Sequence, residues 1–239
     1  MMCDGATRFR SLVLAWCAAI AACGLSVRAA EDPNAQQEAA RRASLNHVVY
    51  RDRQQQLLLR RARRAFDSGQ IVEGLRLIQT LLDSPEDSHM WTGSPARLSS
   101  LYREAVQLLG SLGADAWRTY ERLYGPEAAR LLKEAQRAGR PADIDQIIRR
   151  YFHTEAGFRA VCWKAAWWMD RGRFGLAAHC WQQLLRSPVH AGRITPGLIQ
   201  KAVLSYRWSG RIAQANEILN RYGERLVRVA GRTMSLKQW

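Results

Sequence analysis

The sequence is poor in lysine, in strand-like patterning and in any motif that spells a reaction. Of its 36 basic residues only Lys133, Lys164, Lys201 and Lys237 are lysine, so arginine carries nearly all of the formal net charge of +15. Alternating Val/Ile/Thr runs are nearly absent, and glycine and proline come at intervals instead of in clusters; both point to an all-α chain. The five histidines, His47, His89, His153, His179 and His190, make no HExxH and no His/Cys set at metal spacing. His179 and Cys180 are neighbours, and on a helix their side chains diverge by ~100°. A GxSxG elbow, a glycine-rich phosphate loop and a defined carboxylate pair are also missing. The expectation is therefore no enzyme, no cofactor and no metal. With 47% hydrophobic residues the chain can nevertheless bury a sizeable core.

Arg8 and Arg10 precede an uncharged run from Ser11 to Val27, followed by Arg28 and a polar segment, the layout of a signal peptide. Val27 and Ala29 occupy small-residue positions before a cleavage point, which predicts residues 1–29 as the leader and Ala30 as the mature start. Ile20-Ala21-Ala22-Cys23 also resembles a bacterial lipobox, which would tether a lipoprotein through Cys23, and an uncleaved anchor is a third route. All three imply export to the periplasm or beyond. No transmembrane span is expected in the mature chain. Loss of three arginines and one aspartate would leave a charge of +13. Of five cysteines only Cys162 and Cys180 fall in the folded part, both on apolar helix faces. Packed helix axes lie ~8–10 Å apart, which favours two reduced core thiols over a disulfide.

Asp32-Pro33 reads as a cap and first helical residue of a long basic helix filling residues 30–67. Its Arg53, Arg60, Arg61 and Arg64 form a candidate docking face for an anionic partner, with a solvated helix face as the plainer reading. Beyond it the segment Ala165–Pro188 reads as a helical hairpin, and its grammar recurs. Gly69, Gly139, Gly172 and Gly210 are each followed by Gln70, Arg140, Arg173 or Arg211. Five residues after each glycine comes Gly74, Ile144, Ala177 or Ala215. Nine after comes Ile78, Ile148, Trp181 or Leu219, and twelve after comes Leu81, Tyr151, Leu184 or Tyr222. These offsets keep one helical face. Pro85 and Pro188 stand at offset sixteen in two units. The small residue at offset five lets the two helices of a hairpin cross closely.

A unit of 33 to 38 residues of helix, turn and helix resembles the tetratricopeptide repeat. It implies a right-handed solenoid of tetratricopeptide-like hairpins over residues 68–223. The tail over 224–239 loses helical period and reads as an exit linker with room for a short strand at Leu226 to Val229. A further unit is expected from Ser94 to Gly125. Ser94-Pro95 would open its first helix, with Leu98 on the stripe, Gly110 to Gly113 would be the turn, and a short second helix would end at Gly125 before Pro126 starts the next. Ser84 to Ser94 fits no unit and carries Trp91.

Four phrases narrow the resemblance: QTLLDSPED (79–87), YERLYGPEA (120–128), RRYFHTEAG (149–157) and DRGRF (170–174). They are similar to the N-terminal helical region of exported bacterial proteins that continue into a PQQ-type β-propeller. That resemblance implies a propeller following the helices, with any quinone or metal site in that propeller and none here.

Trp163, Trp167, Trp168, Trp181 and Trp208 are a heavy aromatic load. Trp181 is expected in the core, whereas Trp168, with Arg171 and Arg173, is the candidate binding groove for a peptide or polysaccharide. His153 is expected to hydrogen-bond at a junction between units, with Thr154 capping the next helix. Three functions remain open: a scaffold for a protein or peptide partner, including a following propeller; a basic module for an anionic polymer such as cell-wall polysaccharide, lipid surface or nucleic acid; and the non-catalytic part of a propeller dehydrogenase.

Overall fold

The computed structural model describes residues 52–93, 97–229 and 231–239, which are mostly helical. Helices α1 (Arg53–Asp67) and α2 (Ile71–Asp83) are followed by a hairpin of β1 (His89–Thr92) and β2 (Arg97–Ser100). Next come α3 (Leu101–Ser111), α4 (Ala114–Ala138), α5 (Pro141–Tyr151), α6 (Glu155–Asp170) and α7 (Phe174–Arg186). A 3-10 helix, Pro188–Arg193, leads to α8 (Pro196–Trp208), α9 (Ile212–Tyr222) and a closing hairpin of β3 (Leu226–Val229) and β4 (Arg232–Ser235). Consecutive helices pack on one another except α3 and α4; α4 packs instead on α2, α5 and α6, and α3 on α1 and α2. Among the described residues no helix is long and apolar enough to cross a membrane. Residues 1–29, with Cys23, and the helix expected from residue 30 to 51 lie outside the described residues.

Four helix-to-helix turns share one hydrogen-bond pattern. Gly69, Gly139, Gly172 and Gly210 have φ of 76°, 62°, 67° and 77°, a left-handed region that glycine enters without steric cost. At each, the glycine N–H donates three residues back, to the carbonyl of Phe66, Gln136, Met169 or Arg207. The next N–H, of Gln70, Arg140, Arg173 or Arg211, donates five residues back, to Ala65, Ala135, Trp168 or Tyr206. This is the Schellman ending, which satisfies carbonyls that a helix terminus would leave orphaned. Each of those next residues is also the N-cap of the following helix, so reversal takes two or three residues.

The offset rule holds most firmly where the helices cross. Gly74 is buried, and Ile144, Ala177 and Ala215 are fully buried. A Cβ on Gly74 would lie 2.7 Å from Phe66 Cδ1, so this crossing uses the absence of a side chain. Ile78 and Trp181 are buried at offset nine, with Ile148 and Leu219 half-buried. The core runs in three clusters. One joins α1 to the first half of α4 around Leu59, Ile78 and Tyr120; a second joins the rest of α4 to α5 and α6 around Leu132 and Ile144. The third spans α6 to β4 around Trp181 and Ile199.

A polar seam ties α2, α4 and α5 where the first two clusters meet. The Tyr120 hydroxyl lies 2.7 Å from Gln79 Oε1 and 3.2 Å from the Arg150 carbonyl, and Arg150 Nε donates to Asp83 Oδ1 at 2.6 Å. Arg149 donates to the carbonyls of Ser84 and Pro85 at 2.7 and 3.2 Å, placing a cation at the C-terminal end of α2. Burial pushes the Tyr120 phenol well above its ordinary range, which keeps it neutral and able to donate.

Several expectations are corrected. The basic helix does not run unbroken to Asp67: Asp52 is extended and its carboxylate accepts from the N–H groups of Gln54 and Gln55 at 2.7 and 3.3 Å, so α1 starts at Arg53. Leu98 lies in β2 instead of on a helix, and that helix begins at Leu101 under a Ser100 cap. Ser84 to Ser94 contains β1, whose Trp91 is opposite Leu98. The second helix of that unit does not end at Gly125 but continues as α4 through Pro126 to Ala138. One buried stripe, Ala116, Tyr120, Ala128, Leu132 and Ala135, runs its length, and Gly125 brings no Cβ against the proline ring. Packing outweighs the proline penalty there.

The expected exit linker is packed structure. The strand expected at Leu226 to Val229 is present and pairs with Arg232–Ser235; Val227 and Leu236 are buried, and Arg225 donates to the Ile194 carbonyl at 2.6 Å. Pro188 opens the 3-10 helix after Ser187, and Pro85 sits exposed beyond α2. Cys162 and Cys180 are free thiols, and burial pushes the Cys162 thiol up to about 11.

Candidate functional site

The link between α5 and α6 is three residues, Phe152, His153 and Thr154. Thr154 caps α6 as expected: its Oγ1 accepts from the Gly157 N–H at 3.0 Å and donates to the Tyr151 carbonyl at 2.8 Å. So short a link drives His153 inward. It is 4% exposed, its Nδ1 has no hydrogen-bond partner, and its ring stands edge-on to Phe152 and Tyr120. The hydrogen bond expected of it is therefore missing at Nδ1.

His153 lines two clefts. One, of about 900 Å³, lies between the first turns of α4, with Trp117, Arg118 and Arg122, and the 3-10 helix, with Val189 and Arg193. The other, of about 610 Å³, lies among α3, with Tyr102 and Arg103, Phe152, and the end of α7 at Arg186. Trp117 is held in the first wall by its indole N–H, which donates to the Leu109 carbonyl at 3.0 Å.

The clefts carry more cationic charge than they neutralise. Asp115 is engaged by Arg118, and Glu121 accepts from the Glu155 N–H at 2.8 Å and lies 3.8 Å from Arg193. Arg103, Arg122 and Arg186 are exposed and have no carboxylate partner among the described residues. An anionic group entering here would meet several guanidinium donors, whose hydrogen bonds to an anion are charge-assisted.

His190, on the 3-10 helix, has a fixed tautomer. Arg193 donates to its Nδ1 at 3.2 Å, so the ring proton sits on Nε2, which donates to the Phe152 carbonyl at 2.8 Å. Burial pushes its pKa down to about 4, helped by Arg193; burial, helped by His190, pushes His153 down to about 3. Both rings stay neutral in the fold well below their ordinary 6.5. Between pH 7 and pH 5 the unfolded chain binds protons that the folded chain refuses, so stability falls on acidification. The expected loss is roughly 2 kcal/mol per histidine over that interval. Urea midpoints at both pH values check it, and His153→Gln or His190→Gln should each flatten the dependence; a wild-type midpoint unchanged from pH 7 to pH 5 would contradict it.

The three residues of the expected groove go separate ways. Arg171 is laid over the Trp167 ring, 3.7 Å from its centroid, and donates to the Trp167 carbonyl at 3.2 Å. Trp168 is half-buried against the core and in edge contact with Trp167. Arg173 lines another cleft, of about 600 Å³, with Phe174 and Trp208. Trp181 is a core residue at 2% exposed. The basic face is present on α1: Arg53, Arg60, Arg61 and Arg64 are exposed, and Arg53, Arg60 and Arg64 fall on one side at helical spacing. None has a carboxylate partner among the described residues, whereas Arg63 pairs with Glu104 at 2.9 Å. No group of His, Cys, Asp or Glu that could hold a metal occurs among the described residues.

The clefts at His153 were hidden from sequence because their walls come from four separate segments. The phrase RRYFHTEAG marked the link without indicating what would face it. Set against protein-family models, curated proteins and solved structures, the chain matches none.

Proposed function

We propose that the chain is an exported helical-repeat scaffold, a right-handed stack of tetratricopeptide-like hairpins that binds a protein partner through the basic concavity around His153. The observation that carries this reading is the pair of clefts meeting at one buried histidine, with Arg103, Arg122 and Arg186 uncompensated on their rims. Stacked hairpins bury a continuous core and leave an extended concave surface, whose usual use is recognition of another chain. The resemblance of residues 54 to 222 to the helices that precede a PQQ-type propeller makes such a propeller one natural partner. Catalysis is not part of this reading.

A photo-crosslinking residue at Gln107 or Arg118, in the two clefts, should capture one discrete protein in the cells that express the chain. The same probe at Arg137, exposed at the far end of α4, should not. Equal capture from all three positions, or none from the clefts, would overturn the reading.

A second reading, binding of an anionic polymer, is favoured by the unpaired arginines of α1. Its signature is retention on immobilised heparin that collapses with salt and is weakened by replacing Arg53, Arg60, Arg61 and Arg64 with glutamine. Retention indifferent to either change would remove it.

A further inference from the structure

The largest exposed aromatic of the described chain stands outside the clefts at His153. Trp208, at the end of α8, is 62% exposed, and its ring meets Phe174, the first residue of α7, at a centroid distance of 4.6 Å and 70° between planes. Leu176 and Ile212 are exposed at the start of α7 and α9. Trp208, Phe174 and Leu176 line a cleft of about 600 Å³ with Arg173 and Arg211. The cause of the clustering is the repeated turn. α7 and α8 are antiparallel, so the two Schellman turns at Gly172 and Gly210 come to one edge, and each delivers an arginine immediately before a helix.

Isolated exposed apolar residues need no explanation, but a corner of two aromatics flanked by aliphatics and rimmed by like charges marks an interaction surface. Neither Arg173 nor Arg211 has an ion-pair partner among the described residues, and no carboxylate lines the cleft. Asp170, at the end of α6, is near in sequence and does not line it. A second copy of this chain seated by two-fold symmetry would set these arginines against themselves, which disfavours self-association. The near-perpendicular rings form a notch, unlike the flat platform on which a sugar ring stacks, and Leu176 extends that notch with aliphatic surface.

We infer that this edge is a second docking surface, distinct from the clefts at His153, for an acidic peptide segment carrying an apolar anchor residue. The anchor enters between Phe174 and Trp208, and flanking carboxylates meet Arg173 and Arg211. Aromatic and arginine side chains are the types that dominate binding energy at such surfaces.

The test titrates the full chain against a fluorescein-labelled peptide of six glutamates around a central Leu-Phe pair, read by anisotropy. Trp208→Ala and the double variant Arg173→Glu/Arg211→Glu should each weaken binding about tenfold or more. Replacing Leu-Phe by Gly-Gly in the peptide should do the same, and Arg118→Glu/Arg122→Glu, in the other cleft, should leave the affinity unchanged. The variants alter exposed residues, and superimposable circular-dichroism melts show that each folds. Wild-type affinity in Trp208→Ala, equal binding of the Gly-Gly peptide, or loss caused only by the Arg118/Arg122 variant would overturn the assignment. So would Trp208-dependent binding of polygalacturonate without binding of the peptide.

Discussion

Replacing Gly157 by alanine should cost the chain several kcal/mol, at or beyond the ~4 kcal/mol that marks an exceptional single substitution. Gly157 lies in the first turn of α6, where its N–H binds the Thr154 cap. A Cβ there would be driven into the Tyr151 carbonyl oxygen and would stand 2.7 Å from that carbonyl carbon and 2.8 Å from Phe152 Cα. All three obstacles are backbone. They cannot swing aside as a side chain can, so the link carrying Phe152, His153 and Thr154 must move as a unit. That link aims His153 at both clefts and supplies the carbonyl that His190 holds. For a domain of this size the loss corresponds to a melting temperature lower by roughly 10 °C or more. Two controls separate this mechanism from loss of glycine in general. Gly74→Ala meets the Phe66 ring, which can rotate, and should cost less; Gly175→Ala meets only Ser209 Cβ at 3.9 Å and should be neutral or slightly stabilising. A Gly157→Ala protein that melts with wild type would refute the close approach.

The same contrast explains what was legible in the sequence. Gly69, Gly139, Gly172 and Gly210 could be found because a left-handed helix ending requires one residue type and the helical face then repeats at fixed offsets. Gly157 has the same identity for another reason, the close fold-back of the three-residue link just before it, and no repeat of offsets points to it. The expected break at Gly125-Pro126 follows from proline as a local stop signal, whereas the stripe from Ala116 to Ala135 that overrides it gains its weight only from α2, α5 and α6 packed against it. The β1–β2 hairpin leaves no sequence signal because HMWT and RLSS are too short and mixed to show alternation. The candidate site was least legible. Arg103, Arg122 and Arg186 read alike as solvated helix residues, and only packing of α3, α4 and α7 around the α5–α6 link turns them toward common concavities.

Trp181→Ala should be the other severe substitution, costing about 3–5 kcal/mol as expected for deletion of a buried large aromatic. At 2% exposed, Trp181 fills the junction of α7 and α8, and its indole N–H donates to Ser205 Oγ at 3.1 Å. Ser205 in turn donates to the Lys201 carbonyl at 2.7 Å, so its hydroxyl is placed to accept. Apolar volume and polar pairing can be separated: Ser205→Ala keeps the volume and strands a buried N–H, at an expected cost of about 1–3 kcal/mol, while Trp181→Phe keeps most of the volume and removes the N–H itself. If packing dominates, Trp181→Phe stays much closer to wild type in its urea midpoint than Trp181→Ala; equal losses in the two would assign the effect to the hydrogen bond. The consequence reaches the surface because Trp181 holds together the two helices that bring Phe174 to Trp208. Loosening that junction should therefore weaken the acidic peptide at the notch even under conditions where Trp181→Ala remains folded, whereas Gly157→Ala, in the first turn of the neighbouring α6, should disturb the clefts at His153 first.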